Sequence, residues 1–247
     1  MPNLKTIKKI LDVGLVPVVR ATSADEAIAI VEAITAGGVS VLEITMTVPG
    51  AIKAIEKVAD HYGKEVLVGA GTVLDPETAR ACILAGAEFI VTPALKTSTI
   101  EMCKRYSKVI IPGALTPTEV VTAWEAGSDF VKVFPCDNVG GAKYIKALKG
   151  PFPQIDLIPT GGVNLNTAAE FMAAGAAALV DVREARSGGS VGEPCEGTGK
   201  EDSEYGEAVD CEPARAAGAG GRLRPGWVLN SPFLQMCIEV SGWRRRH

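Results

Sequence analysis

Four Ala-Gly pairs constrain the fold of this chain more than any other feature of its sequence. Each pair ends a helix-like segment and precedes an apolar run, and the glycines are Gly37, Gly86, Gly127 and Gly175. A glycine after a helix readily adopts the left-handed conformation that turns the chain back into a strand. These glycines are 49, 41 and 48 residues apart, about the length of two strand–helix units. The spacing therefore predicts a further strand in each interval.

Further apolar runs alternate with those that follow the Ala-Gly pairs, at residues 16–20, 66–72, 109–115 and 155–162. Helix-start signals stand between the strands, at residues 22–26, 75–77, 116–119 and 164–167. Eight strands alternating with helices predict an α/β fold, a (β/α)8 TIM barrel with an atypical or incomplete last strand and helix. A doubly wound open sheet is disfavoured because no GxGxxG sequence opens a first strand–helix turn.

Composition excludes several classes of protein. The net charge of -4 gives no basic footprint for nucleic acid or an anionic membrane. No run reaches the length of a membrane span and residues 1–20 lack a signal-peptide layout, so we expect a cytoplasmic protein. The only histidines are His61 and His247, and the six cysteines form no CxxC pair. A bound metal, a redox motif and histidine-based catalysis are therefore disfavoured.

Lys132 interrupts an otherwise apolar run, residues 129–135, that is typical of a buried strand. Burial disfavours the charged ammonium and lowers the pKa of a lysine, which favours a role as an amine nucleophile. From this run alone, a lysine paired with a carboxylate at a strand end is an equal alternative.

Aligning these four strands on their leading glycines, which are Gly38, Gly86, Gly127 and Gly175, indicates which side chains share a layer of the barrel interior. Four residues fall at the same step: Glu43, Val91, Lys132 and Val180. Inward side chains of alternate strands form such layers, so the alignment places a carboxylate and a lysine together. An inert buried ion pair is the alternative, but such pairs contribute little to stability, and the pattern favours a functional site.

The other four strands bring small and polar groups to their carboxyl ends, where barrel active sites lie. These groups are Arg20, Thr72, Gly161 and Gly162. A Gly-Gly pair on the seventh strand, followed by a helix opening at Asn164, offers backbone amides to a phosphate. A tight turn without a ligand is an equal alternative for the two glycines.

The strand-end motifs resemble those of the 2-keto-3-deoxy-6-phosphogluconate and 4-hydroxy-2-oxoglutarate aldolases. The motifs are Val-Val-Arg-Ala (18–21), Leu-Glu-Ile-Thr (42–45), Gly-Ala-Gly-Thr (69–72), Thr-Pro (92–93), Ile-Pro-Gly (111–113), Lys-Val-Phe-Pro (132–135) and Pro-Thr-Gly-Gly-Val (159–163). The resemblance implies a class I aldolase without metal or other cofactor, usually a homotrimer. It implies cleavage of a small keto-acid substrate to pyruvate and an aldehyde.

The resemblance also implies a role for each matching residue. Lys132 resembles the Schiff-base lysine, and Glu43 resembles the general acid/base. Thr72 resembles the hydroxyl that holds the pyruvoyl carboxylate, and Arg20 resembles the arginine that pairs with a substrate anion. Two further residues resemble the pocket walls beside the imine: Pro93 and Phe134. Some members carry a second arginine at the position of Thr47, which leaves substrate-tail binding more dependent on Arg20.

The resemblance stops after the eighth strand, which divides the chain into a barrel, 1–182, and a non-matching tail, 183–247. The tail holds 8 of the 11 arginines but 1 of the 14 lysines, and it is rich in glycine. This composition predicts a largely disordered segment and favours a frameshift over an appended domain or a lineage-specific tail. Because the family's glycine-rich last turn is absent, a catalytically impaired barrel remnant is the alternative to an active aldolase. A phosphate-binding isomerase barrel has no use for Lys132.

Overall fold

Helices and parallel strands alternate through residues 2–180, the part of the chain that this computed structural model describes. The predicted tail, 183–247, lies outside the described residues. The helices are α1 (Pro2–Val13), α2 (Ala24–Ala36), α3 (Ala51–Tyr62), α4 (Pro76–Leu84), α5 (Thr97–Arg105), α6 (Pro117–Glu125), α7 (Ala142–Lys149) and α8 (Ala168–Ala173). The strands are β1 (Leu15–Val16), β2 (Val18–Val19), β3 (Val41–Thr45), β4 (Leu67–Gly71), β5 (Phe89–Val91), β6 (Val109–Ile111), β7 (Gly113–Ala114), β8 (Val131–Val133), β9 (Leu157–Pro159) and β10 (Leu179–Val180). None of these helices is long and apolar enough to span a bilayer.

The strands pair in three parallel groups, in the orders β2-β3-β4-β5-β6, β7-β8-β9 and β1-β10. Prolines cause two of the breaks, because a proline has no N–H to donate to the neighbouring strand. Pro17 separates β1 from β2, and Pro112 separates β6 from β7. The carbonyls of both prolines still accept hydrogen bonds, from the amides of Glu43 and Lys132 at 2.9 Å each. Each broken pair therefore serves as one strand of the barrel.

The third break lies between β9 and β10. No strand ladder joins them among the described residues, but the amide of Ala177 donates to the carbonyl of Leu157 at 2.8 Å. The strand β10 in turn pairs with β1 through Leu15 and Leu179. The predicted α/β barrel is confirmed in its strand order, its parallel pairing and its alternating helices, and the last strand is the one joined least.

Three clusters of buried apolar side chains surround this sheet. One fills the barrel interior with alternate residues of the strands, such as Val16 and Val18, and with Ile10 of α1, which closes the amino-terminal end. A second lies between the strands β2 to β6 and the helices α2 to α5, and a third packs the strands β7 to β10 against α6 to α8. Burial of each Ile, Leu or Val contributes about 1.5–3 kcal/mol to stability. The strands at the site are therefore held on both faces.

Three of the four predicted helix starts are confirmed by side-chain caps. The hydroxyl of Ser23 accepts from the amide of Glu26, and the carboxylate of Asp75 accepts from the amide of Thr78. Thr116 forms a reciprocal capping box at the start of α6. These caps are local, since donor and acceptor lie within four residues.

Two local predictions were wrong. The last helix begins at Ala168 rather than Asn164, because the Asn164 Oδ1 atom accepts from the amides of Asn166 and Thr167 and closes a turn first. At the first Ala-Gly pair the left-handed residue is Gly38 (φ 85°) instead of Gly37 (φ -75°). The amide of Gly37 still bonds to the carbonyl of Ala33, so the helical turn extends by one residue.

Candidate active site

Glu43 lies in the middle of β3 and points into the barrel. Its neighbours Leu42 and Ile44 face the opposite way and pack under the outer helices, because successive strand side chains alternate between the two faces. All five residues of β3 are buried, and Glu43 itself is 1% exposed. The strand register therefore holds a carboxyl group in the barrel interior.

Lys132 occupies the corresponding position of β8. It lies between Val131 and Val133, which pack outward, and it is 7% exposed. Its amine nitrogen lies 4.9 Å from the centre of the Phe134 ring, within the range where a cation is attracted to an aromatic face. The predicted mid-strand burial of this lysine is confirmed.

The strand pairings place Glu43 and Lys132 in one layer. Adjacent strands of an eight-stranded barrel with a shear of 8 are staggered by about one residue. Residues of one layer are therefore found by following the strand pairings and moving one residue toward the carboxyl end at each new strand. This procedure connects Glu43 with Val91 on β5, and Val91 with Lys132 on β8. On the other side it connects Val180 on β10 with Glu43. The layer is the one that the aligned glycines predict.

Thr72 follows β4 directly, at the carboxyl end of the barrel, in a left-handed conformation with φ 56°. A β-branched residue rarely adopts this conformation, which costs about 1–3 kcal/mol and clusters at active sites and ligand-binding segments. The surrounding structure therefore imposes this backbone conformation on Thr72 at the barrel mouth.

Pro93 and Phe134 lie on either side of β7. The hydroxyl of Thr92 donates to the carbonyl of Ala94 at 2.6 Å and accepts from the amide of Gly113 at 3.2 Å. These bonds hold the loop that contains Pro93 against β7, and Gly113 in turn pairs with Lys132. Phe134 is 38% exposed. The amine of Lys132 is therefore bordered on one side by an aromatic ring that is partly open to solvent.

The predicted anion-binding residues also lie at this end of the barrel. Arg20 follows β2 with an exposed side chain. Gly161 and Gly162 follow β9 with left-handed φ values of 97° and 72°, and their amides donate no hydrogen bond to any described residue. Asp137 packs against the two glycines: a methyl group on Gly161 would lie 2.7 Å from its Oδ1 atom. The turn therefore requires glycine and leaves two amides available.

Thr160 is a candidate site residue that was not predicted from the sequence. It follows β9, two residues after the inward-facing Ile158, and it is 6% exposed. Its hydroxyl has no hydrogen-bond partner among the described residues. A buried polar group without a partner requires an explanation, and a bound ligand supplies one. Two features of the sequence could have indicated this residue. Thr160 belongs to the Pro-Thr-Gly-Gly motif, and it lies two residues after Ile158, so the two side chains are expected on the same face of the strand.

We expect the Thr160→Val substitution to maintain or raise stability and to weaken substrate binding. An unsatisfied buried hydroxyl costs about 1–3 kcal/mol, and valine has the same shape without it. Thr99 on α5 provides the matched control, because its hydroxyl is also buried without a partner among the described residues. Thermal unfolding should give similar shifts for both variants, whereas KM should rise only for Thr160→Val. If KM is unchanged in both variants, Thr160 is not part of the substrate-binding site.

Other reactive groups give no competing site in the part of the chain that is described. No cluster of histidine, cysteine and acidic residues there could hold a metal ion. Burial raises the pKa of the Cys136 thiol, two residues beyond Phe134, to about 12, so it is protonated and a poor nucleophile at neutral pH. A groove of about 500 Å³ opens between α2 and α3, on the outer helices and not at the barrel mouth.

A parallel barrel that buries a lysine and a carboxylate in one layer, with polar strand ends above them, defines a Schiff-base type of barrel enzyme. The chain belongs to the KDPG and KHG aldolase family, whose model matches residues 6–192.

Two relatives of known name and one solved structure support this family assignment. The chain is 35% identical to 2-dehydro-3-deoxy-phosphogluconate aldolase of Haemophilus influenzae over 68% of this chain and 78% of the relative. It is 38% identical to 2-dehydro-3-deoxy-6-phosphogalactonate aldolase of Escherichia coli over 66% of this chain and 80% of the relative. A KDPG aldolase from Legionella pneumophila, with pyruvate captured as a covalent carbinolamine intermediate, is 30% identical with a TM-score of 0.67, over 73% of this chain and 86% of that structure.

Proposed function

We propose that this protein is a class I aldolase that cleaves 2-keto-3-deoxy-6-phosphogluconate, 4-hydroxy-2-oxoglutarate or both to pyruvate and an aldehyde. The observation that carries this proposal is the shared layer of Glu43 and Lys132, both buried, in the barrel interior. The relatives' names supply the substrate class, and the Legionella pneumophila structure shows that a family member captures pyruvate covalently.

The reaction starts at the amine of Lys132. The neutral amine attacks the C2 carbonyl of the keto acid, and loss of water from the carbinolamine gives a protonated imine. The bond between C3 and C4 then breaks, and its electron pair passes into the imine to form an enamine. Protonation of the enamine at C3 and addition of water release pyruvate and regenerate the free amine.

Glu43 is the group that moves protons in this scheme. Its carboxylate takes the proton of the C4 hydroxyl as the aldehyde forms and returns a proton to C3 of the enamine, and it also exchanges protons during formation and hydrolysis of the imine. The position of Glu43 inside the barrel keeps this exchange away from bulk water.

The strand ends hold the two ends of the substrate. The hydroxyl of Thr72, at the barrel mouth, is suited to the C1 carboxylate, while Pro93 and Phe134 wall the imine region. The guanidinium of Arg20 and the available amides of Gly161 and Gly162 are suited to an anionic tail. The assignments of Thr72, Pro93, Phe134 and Arg20 follow the resemblance, and the assignment of the two glycines follows from their backbone amides.

A catalytically impaired remnant is not favoured as the function. The residues required for imine chemistry are present, and the relatives that match the chain are named as aldolases. The homotrimer and the cytoplasmic location stay predictions, as does catalysis without a cofactor.

Trapping of the imine tests the proposal. Incubation with pyruvate and borohydride is expected to attach a reduced pyruvate group to the protein, and peptide mass spectrometry should locate it on Lys132. Omission of pyruvate provides the control. A folded protein that gives no adduct, or an adduct only on exposed lysines such as Lys146, would contradict the proposed function.

A further inference from the structure

We propose that Gly71 is a positioning residue for the carboxylate of Glu43, because the missing side chain leaves the space that this carboxylate occupies. The inference rests on the proposed function, since it concerns the group that is expected to move protons there. Gly71 is the last residue of β4 and lies beside β3, which carries Glu43.

The close approach of the two residues carries the inference. A methyl group on Gly71 would overlap the Oε1 atom of Glu43 and would lie 2.7 Å from its Cδ atom and 3.3 Å from its Oε2 atom. Non-bonded carbon atoms prefer separations of about 3.5–4.0 Å. The observed position of the carboxylate is therefore incompatible with any side chain at residue 71.

Backbone conformation does not explain the glycine. Gly71 is absent from the described residues with left-handed φ, unlike Gly161 and Gly162. Its carbonyl accepts a hydrogen bond from the amide of Met46 at 2.8 Å, as in an ordinary strand. An alanine could adopt this backbone without strain, so the requirement at Gly71 comes from the space beside Glu43.

A second glycine on the same face of β4 shows the contrast. A methyl group on Gly69 would overlap the ring of Phe89, which reaches over from β5. The inner face of β4 thus has two gaps, one filled by an apolar ring and the other by a carboxylate. The space at Gly69 holds an apolar ring, whereas the space at Gly71 holds a reactive group.

The gap at Gly71 also sets the direction of the carboxylate. It turns Glu43 toward β4, the strand that Thr72 follows. A shift of about 1 Å in a reacting group can lower a rate by about 10²-fold. We therefore expect crowding at residue 71 to act on proton transfer through Glu43 more than on substrate binding.

The Gly71→Ala variant tests this expectation. We expect kcat to fall about 10²-fold with little change in KM, while trapping of pyruvate on Lys132 is retained. Gly69→Ala is the matched control: it should lower the unfolding temperature by crowding Phe89, with turnover per folded enzyme close to that of the unmodified protein. A similar loss of turnover in both variants would overturn the inference, because general crowding of β4 would explain it.

Shortening the acid provides the decisive comparison. In Glu43→Asp the carboxylate withdraws from Gly71, so adding Gly71→Ala should lower kcat much less than it does beside glutamate. Equal losses in the two backgrounds would overturn the inference. If Gly71→Ala does not fold, recovery of folded protein in the double variant supports the inference, and failure to recover it counts against the inference.

Glu43→Gln separates the inference from the proposed function. If Glu43→Gln keeps full turnover, the proposed role of the carboxylate fails and the positioning of Gly71 fails with it. If Glu43→Gln is inactive but Gly71→Ala behaves as the unmodified protein, the positioning alone is wrong.

Discussion

Replacement of Lys132 by methionine is expected to abolish pyruvate trapping and to lower turnover by at least about 10⁴-fold. The amine is the group that bonds to C2, and removal of a covalent nucleophile leaves only the residual effects of binding and electrostatics. Methionine has a similar length and no charge, so it should fit the site that Lys132 occupies at 7% exposure. Both losses should therefore occur in a folded protein, as circular dichroism and thermal unfolding can verify.

The same substitution at Lys146, which is exposed on α7, is the matched control. Lys146→Met should keep full turnover and trapping on the Lys132 peptide. Turnover of the Lys132→Met protein within tenfold of the control would show that the reaction does not pass through a lysine imine.

The shared layer of Glu43 and Lys132 was predictable from the sequence because two regular features specify it. A leading glycine (Gly38, Gly86, Gly127 or Gly175) lies five residues before the aligned position in each of four strands, and the period of 2 along a strand then decides which side chains point inward. The helix starts at Ser23, Asp75 and Thr116 were predictable for a different reason, since their donors and acceptors are neighbours in the chain.

Features that depend on contacts between strands were not predictable in this way. The overlap of a methyl group on Gly71 with Glu43 arises where β3 and β4 meet, and the missing partner of the Thr160 hydroxyl depends on all elements around it. The left-handed conformation of Thr72 opposes its local preference, so tertiary structure imposes it. The helix start predicted at Asn164 was wrong because asparagine suits two local structures, a helix cap and a turn, and here it forms the turn.

Replacement of Glu43 by glutamine is expected to lower kcat by about 10²–10⁴-fold without abolishing pyruvate trapping. Glutamine has nearly the same shape, so the packing around a residue that is 1% exposed is retained. It cannot take or give the proton that a carboxyl group exchanges, and general acid–base catalysis contributes about this much to a rate. The amine of Lys132 remains, so the imine should still form, only more slowly.

The distinguishing measurement is the exchange of pyruvate methyl protons with solvent deuterium, followed by nuclear magnetic resonance. Exchange requires removal of a C3 proton from the imine, so it should be slow in Glu43→Gln although borohydride still traps the adduct. Glu101→Gln, the same change on the exposed face of α5, should leave both unaffected. Loss of both trapping and exchange would contradict the prediction, because it would show that the imine does not form without Glu43. Rapid exchange in the variant would require another base. Retained trapping without exchange would separate the roles of the two residues: Lys132 forms the covalent bond, and Glu43 moves the proton.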